Sequence, residues 1–151
     1  MASTFDKLNL KDHKQILVLN SPDSFEPELK SLRGVAIERD LKSIGRIEFA
    51  LAFVTKQKEV DALGKAIASK AAGDAVVWFA YPKGSSKKYK SEINRDNGWQ
   101  VLGNAGFEPV RMVAIDEDFS AVRFRRTEFI KTLTRGKEHR MSAQGKARPA
   151  R

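Results

Sequence analysis

The chain has 151 residues, 41% of them apolar, which is enough for one domain with a substantial core. It contains no cysteine, which excludes a disulfide framework, a thiolate zinc site and a cysteine nucleophile, and fits a reducing compartment. The 28 Lys+Arg against 19 Asp+Glu give +9, a balance that points to nucleic acid, an acidic membrane or a nucleotide phosphate until the charge is located.

Taken in chain order, Gln15 to Leu19 (QILVL) is a short apolar run stopped by Asn20-Ser-Pro22, the pattern of a strand buried on both faces. Asp23 or Ser24 then caps a helix that tolerates Pro27 in its first turn, buries Leu29 and Leu32, and stops at Gly34. A brief strand follows over Val35 to Glu38, and a stronger one over Arg46 to Val54. Thr55 is the expected cap of a helix carrying Val60, Leu63, Ile67, Ala68 and Ala71 at helical spacing, closed by Gly73. Ala75 to Tyr81 is the most apolar strand, and the strand-helix-strand order of 47–81 predicts a parallel crossover. After the polar loop PKGSSKKYK, a helix is expected from about Ser91 past Trp99 and Leu102 to Gly106, with Gly98 marking a bend or a close contact. Phe107 to Ile115 and Phe119 to Arg126 flank Asp116-Glu-Asp118, which predicts an antiparallel hairpin.

The expected fold class is therefore α/β: a three-layer, Rossmann-like, mostly parallel sheet ending in an antiparallel hairpin. Residues 1–13 are expected to form an N-terminal extension, 14–128 the single domain, and 129–151 a basic, partly disordered tail with a short helix near Glu128 to Thr134. Ten of the basic residues and two of the acids lie in 123–151, so this stretch carries +8 and the preceding 122 residues about +1. The charge belongs to the last strand and the tail. It serves there either as a solvated terminus or as a tether to nucleic acid, and the tail lacks the interleaved aromatics of a base-stacking surface.

No apolar run approaches the ~20 residues of a membrane-spanning helix, and the first residues have no signal-peptide core, so a cytoplasmic, membrane-free protein is expected. Only His13 and His139 are available for a histidine metal site or a Ser/His/Asp triad, and neither is well placed. No catalytic residue and no metal ligand is assigned. Asp116, Glu117 and Asp118 are better explained as turn formers than as magnesium ligands. Asn94, Arg95 and Asp96 are polar residues that either line a site or cap the next helix, with the structural role favoured. Trp78, Phe79 and Tyr81 are expected in the core.

Ligands of open parallel sheets bind beyond the carboxyl ends of the strands, which brings the loops after Leu19, Val54 and Tyr81 to one rim. The candidate binding residues are Lys83, Gly84, Ser85, Ser86 and Lys87, with Asn20 and Ser21 on the neighbouring loop. Glycine for tight backbone geometry, hydroxyl donors and lysine charge, together with a helix N-terminus expected nearby, would suit a phosphate or carboxylate. A solvated lysine loop explains the same residues equally well. The order of residues is not that of a P-loop.

Parallel β-α units finishing in an antiparallel hairpin resemble the class I S-adenosylmethionine methyltransferases. That resemblance implies a glycine-rich turn after the first strand and, about twenty residues later, a carboxylate for the ribose hydroxyls. The turn here is Asn20-Ser-Pro-Asp-Ser24 without glycine, and Glu38 and Asp40 stand at the distance of the acid. The run from VWFAYPKGSSK (77–87) through INRDNGW (93–99) to VAIDEDFSAVRFR (113–125) is also similar to a family of small bacterial proteins without an established activity, in which tryptophan often stands where Phe119 is here. That second likeness covers most of 14–128 and implies a Rossmann-like domain with no catalytic residues to carry over. The function expected is a non-catalytic domain, leaning away from an enzyme, that binds an anionic small molecule or partner group at the 82–88 loop. A nucleic-acid-associated protein held by its tail and a divergent methyltransferase are the alternatives. The cofactor and the oligomeric state are not legible.

Overall fold

A computed structural model describes residues 4–11, 13–93 and 98–130. In chain order the elements are α1 (Thr4–Lys7), β1 (Gln15–Leu19), α2 (Glu26–Lys30), β2 (Ala36–Glu38), β3 (Ile47–Phe53), α3 (Gln57–Lys70), β4 (Ala71–Pro82), α4 (Gln100–Asn104), β5 (Phe107–Ala114) and β6 (Phe119–Arg126). The six strands form one sheet in the order β2-β1-β3-β4-β6-β5. β1 pairs in parallel with β2 and β3, and β3 pairs in parallel with β4. β6 runs antiparallel between β4 and β5. This is the mostly parallel α/β sheet with a terminal hairpin that the sequence predicts.

Alternation along the strands divides the apolar residues into two layers. Val77, Phe79 and Tyr81 of β4 face one side and meet Val60 and Ile67 of α3, Leu102 of α4 and Trp99. Val76, Trp78 and Ala80 face the other side and meet Phe5, Leu8, Phe25 and Leu29. The central strands are apolar on both faces because both faces are covered. The segment before β1 joins the second layer through Phe5 and Leu8, and the Trp78 indole Nε1 donates to the Leu8 carbonyl at 2.7 Å.

Local chemistry moves several helix boundaries from their expected places. Pro22, which has no side-chain cap to offer, precedes a 3-10 turn over Asp23–Phe25, and α2 begins only at Glu26. α3 starts after Lys56 rather than Thr55. Its end is tied by the Glu59 carboxylate, which accepts from the backbone nitrogens of Thr55 at 2.9 Å and Lys56 at 3.0 Å. α3 also ends at Lys70, because β4 begins at Ala71 and draws Gly73 into the strand.

Of the helix expected from Ser91, only Gln100–Asn104 is helical among the described residues. The Ser91 hydroxyl is occupied in a local turn, accepting from the Ile93 nitrogen and donating to the Ile93 carbonyl. Gly98 sits at φ +104, and a Cβ there would lie 2.3 Å from Ile93 Cγ2. The glycine thus marks a reversal pressed against a side chain, which no helix can continue. Asn94, Arg95 and Asp96 lie outside the described residues.

After β6 a 3-10 turn spans Thr127–Phe129, and most of the short helix expected near Glu128 to Thr134 falls outside the described residues. Residues 131–151, and with them most of the basic stretch, lie outside the described residues. Among those described, no helix is long and apolar enough to cross a membrane.

Candidate functional site

The strand order turns both ways from β1: β2 lies on one side and β3, reached after β2, on the other. This is the switch point of a doubly wound sheet, where adjacent connections leave in opposite directions and a crevice opens at the carboxyl ends. A cavity of about 390 Å³ lies there, lined by Asn20, Ser21, Pro22 and Asp23 after β1, by Phe53, Val54, Thr55 and Glu59 around the end of β3, and by Tyr89 and Phe119. Its size falls within the ~300–1,000 Å³ of small-molecule sites.

Asn20 sets the shape of this crevice. Its backbone is left-handed, at φ 59, a conformation that costs most side chains about 1–2 kcal/mol and that asparagine tolerates best after glycine. Its side-chain Nδ2 reaches the Phe53 carbonyl at 3.4 Å and so links the ends of β1 and β3. The loop makes by asparagine the turn for which the sequence shows no glycine. A search restricted to glycine misses it, although asparagine at the end of a strand is the residue that could have given it away.

Below the lip, Phe53, Phe119 and Tyr89 form an aromatic wall. Phe53 and Phe119 meet edge to face at 5.4 Å, and Tyr89 packs on Phe119 at 4.9 Å. Burial works to raise the Glu59 carboxyl. The bonds from Thr55 and Lys56 outweigh it and hold the group below its ordinary range.

The far side of the β1 loop is closed. Arg39, following β2, places Nη1 2.9 Å from Glu26 Oε2 and Nη2 3.0 Å from Oε1, and donates to the Ser21 hydroxyl at 3.0 Å. Ser21 in turn donates to Glu26. The bonds from Arg39, then the one from Ser21, hold the Glu26 carboxyl down to about 2. The two acids considered for ribose hydroxyls are engaged elsewhere. Glu38 accepts from Gln15 Nε2 at 3.4 Å, and Asp40 Oδ1 accepts from the Lys42 nitrogen at 2.9 Å.

The expected anion loop borders a second cavity, of about 510 Å³, lined by Lys83, Gly84 and Ser86 together with Tyr81, Pro82 and residues 89–93. Its Ser86 is committed to holding the loop. Ser86 Oγ donates to Asp118 Oδ1 at 2.9 Å and accepts from the Tyr89 nitrogen at 3.1 Å, and the Lys83 nitrogen donates to the Asp118 carbonyl at 2.7 Å. Gly84 lies outside the left-handed region with open space around it, so nothing there requires glycine. Ser85 and Lys87 are exposed and line neither cavity. Among the described residues no helix start backs the loop, and the next helix begins at Gln100. The predicted residues are therefore split, Asn20 and Ser21 on one cavity and Lys83, Gly84 and Ser86 on the other, with Tyr89 lining both.

The acidic turn 116–118 behaves as a turn: Asp116 Oδ1 accepts from the nitrogens of Asp118 and Phe119, each at 2.8 Å. Among the described residues no group of three or more metal-ligating side chains converges.

No family model matches the chain, and no curated protein does. Solved structures match its fold. The fibrillarin pre-rRNA processing protein of Methanococcus jannaschii aligns at a TM-score of 0.50 and 13% identity over 77% of this chain and 67% of its own. The pyocyanin biosynthetic protein PhzM aligns at 0.53 and 12% over 83% of this chain and 54% of its own, so the chain spans about half of PhzM. The N-methyltransferase NodS of Bradyrhizobium japonicum aligns at 0.50 and 14% over 83% of this chain and 81% of its own.

The fold is that of the class I methyltransferases. The likeness to small bacterial proteins is carried by the quoted residues alone. The methyltransferase fold corrects the main functional expectation. The expectation of a non-catalytic domain binding an anion at 82–88, leaning away from an enzyme, is set aside, because the neighbours sharing this sheet include an N-methyltransferase.

Proposed function

We propose that the chain is a divergent S-adenosylmethionine-dependent methyltransferase that holds its methyl donor in the cavity between the ends of β1 and β3. The observation that carries this reading is the left-handed Asn20 at the switch point, which gives the loop a glycine-like turn and leaves a crevice of about 390 Å³ beside it.

Asn20 and Asp23 along the loop, with Thr55 and Glu59 opposite, are the polar groups for the donor, and Phe53, Tyr89 and Phe119 are its apolar wall. Since Glu38 and Asp40 are turned to other partners, the exposed Asp23 is the carboxylate on the β1 loop open to hydroxyl or ammonium groups. When bound, S-adenosylmethionine supplies an electrophilic methyl group on a sulfonium. The chain's part is to orient that methyl and to keep water from it. The second cavity, across Tyr89, gives a methyl acceptor an approach from the β4 side.

Calorimetry with S-adenosylmethionine on the full chain tests the reading. Saturable one-to-one binding is expected, retained in Asn20→Gly and weakened at least tenfold in Asn20→Val. The absence of binding to the folded wild-type chain at millimolar donor would overturn it.

A further inference from the structure

Both cavities open on the same rim, yet their linings differ in charge. The first is bordered by two carboxylates, Asp23 and Glu59, and three aromatic rings, with no lysine or arginine among its lining residues. The second carries Lys83 and Lys90 against the single acid Glu92. An aromatic ring has a negative face that attracts cations, and carboxylates add to the same potential. Tyr89 already shows this property, with Lys88 Nζ 5.4 Å from its ring centroid. Building on the methyltransferase reading, we infer that the first cavity is a cation site, which selects the positively charged sulfonium donor over the neutral thioether left after transfer, and that Tyr89 is the residue setting this preference.

The charge changes hands during the reaction. The acceptor's lone pair bonds to the methyl carbon as the carbon–sulfur bond breaks and its electron pair returns to sulfur. The positive charge passes to the acceptor, which releases it as a proton. A lining of carboxylates and ring faces then loses its counter-charge at sulfur, so the spent product is held less tightly than the donor. Tyr89 acts by position: it lines both cavities, it is only half-buried, and its packing on Phe119 keeps the ring in place.

Equilibrium binding to the full chain separates this inference from the reading beneath it. S-adenosylmethionine is expected to bind about tenfold more tightly than S-adenosylhomocysteine. An analogue with a protonated amine in place of the sulfonium should follow the donor. Tyr89→Leu should remove about tenfold of donor affinity while leaving the thioether within twofold, and Tyr89→Phe should restore the wild-type ratio. Asp23→Asn, on an exposed residue, should lower donor affinity about threefold without affecting the fold seen by circular dichroism. Equal affinities in the wild type, or a Tyr89→Leu loss common to both ligands, would overturn the cation site and leave the methyltransferase reading standing. No binding of either ligand would overturn both.

Discussion

The two cavities on the carboxyl rim differ in what their loops spend their side chains on. The loop at 82–93 is rich in hydroxyls and lysines, but Ser86 is held between Asp118 and Tyr89, Ser91 is closed on Ile93, and the exposed lysines lie outside the hollow or at its edge. The β1 loop has fewer polar groups, and Ser21 is held by Glu26 and Arg39 and Asn20 by the Phe53 carbonyl, but its bend at Asn20 opens a crevice that the exposed Asp23 borders. Binding capacity follows from which groups are left over once the loop has been built.

The hardest blow to this contrast falls on the lysine-bearing side. In Gly98→Ala the new Cβ would lie 2.3 Å from Ile93 Cγ2 on a backbone at φ +104, and Ile93 lines that cavity. A loss of about 3 kcal/mol is expected, combining left-handed strain with overpacking, and thermal unfolding measures it. At the β1 loop, Asn20→Val forces a β-branched residue into the left-handed region and should cost about 2 kcal/mol, whereas Asn20→Gly should stay within about 0.5 kcal/mol in urea melts. The two variants together isolate the conformation from the side chain. Ser86→Ala removes the hydroxyl between Asp118 and Tyr89 and should cost about 1 kcal/mol, with faster amide exchange at Tyr89 as the local sign.

The smallest effect is a pH dependence at the edge of the first cavity. Glu26 titrates at about 2 in the folded chain because Arg39 and Ser21 bond to its ionised form, while the unfolded carboxyl titrates near 4.3. Its contribution is therefore complete above the unfolded value and is lost as pH falls toward about 2. Glu26→Gln should flatten the acid limb of stability against pH by a modest amount, the pair being partly exposed.

Most of the sheet is legible from the sequence. Continuous apolar runs mark β1, β3 and β4, the crossover spacing makes them parallel, and three acidic turn residues place the terminal hairpin. What escapes is set by contacts distant in sequence. A helix was expected from Ser91 on, but Gly98 is held against Ile93, and its carbonyl accepts from Gln57 Nε2 at 2.8 Å, 41 residues away. The cavity was half legible: Asn20 and Ser21 lie beside a strand end, where ligands are expected. Thr55, Glu59, Tyr89 and Phe119 join them only through the sheet order, because β6 returns beside β4 and carries Phe119 to the rim. A motif search for glycine also tests for a residue type, when the physical requirement is a backbone angle.

The two tryptophans occupy opposite sides of the sheet, Trp78 with Phe5 and Phe25 in one layer and Trp99 with Phe79 and Phe124 in the other. Each layer thus contains its own fluorophore, excluded from water by that layer alone. Single-tryptophan variants would report separately on the two halves of the core, and coincident or staggered emission changes would show whether the molecule melts as one cooperative unit or sheds one side first.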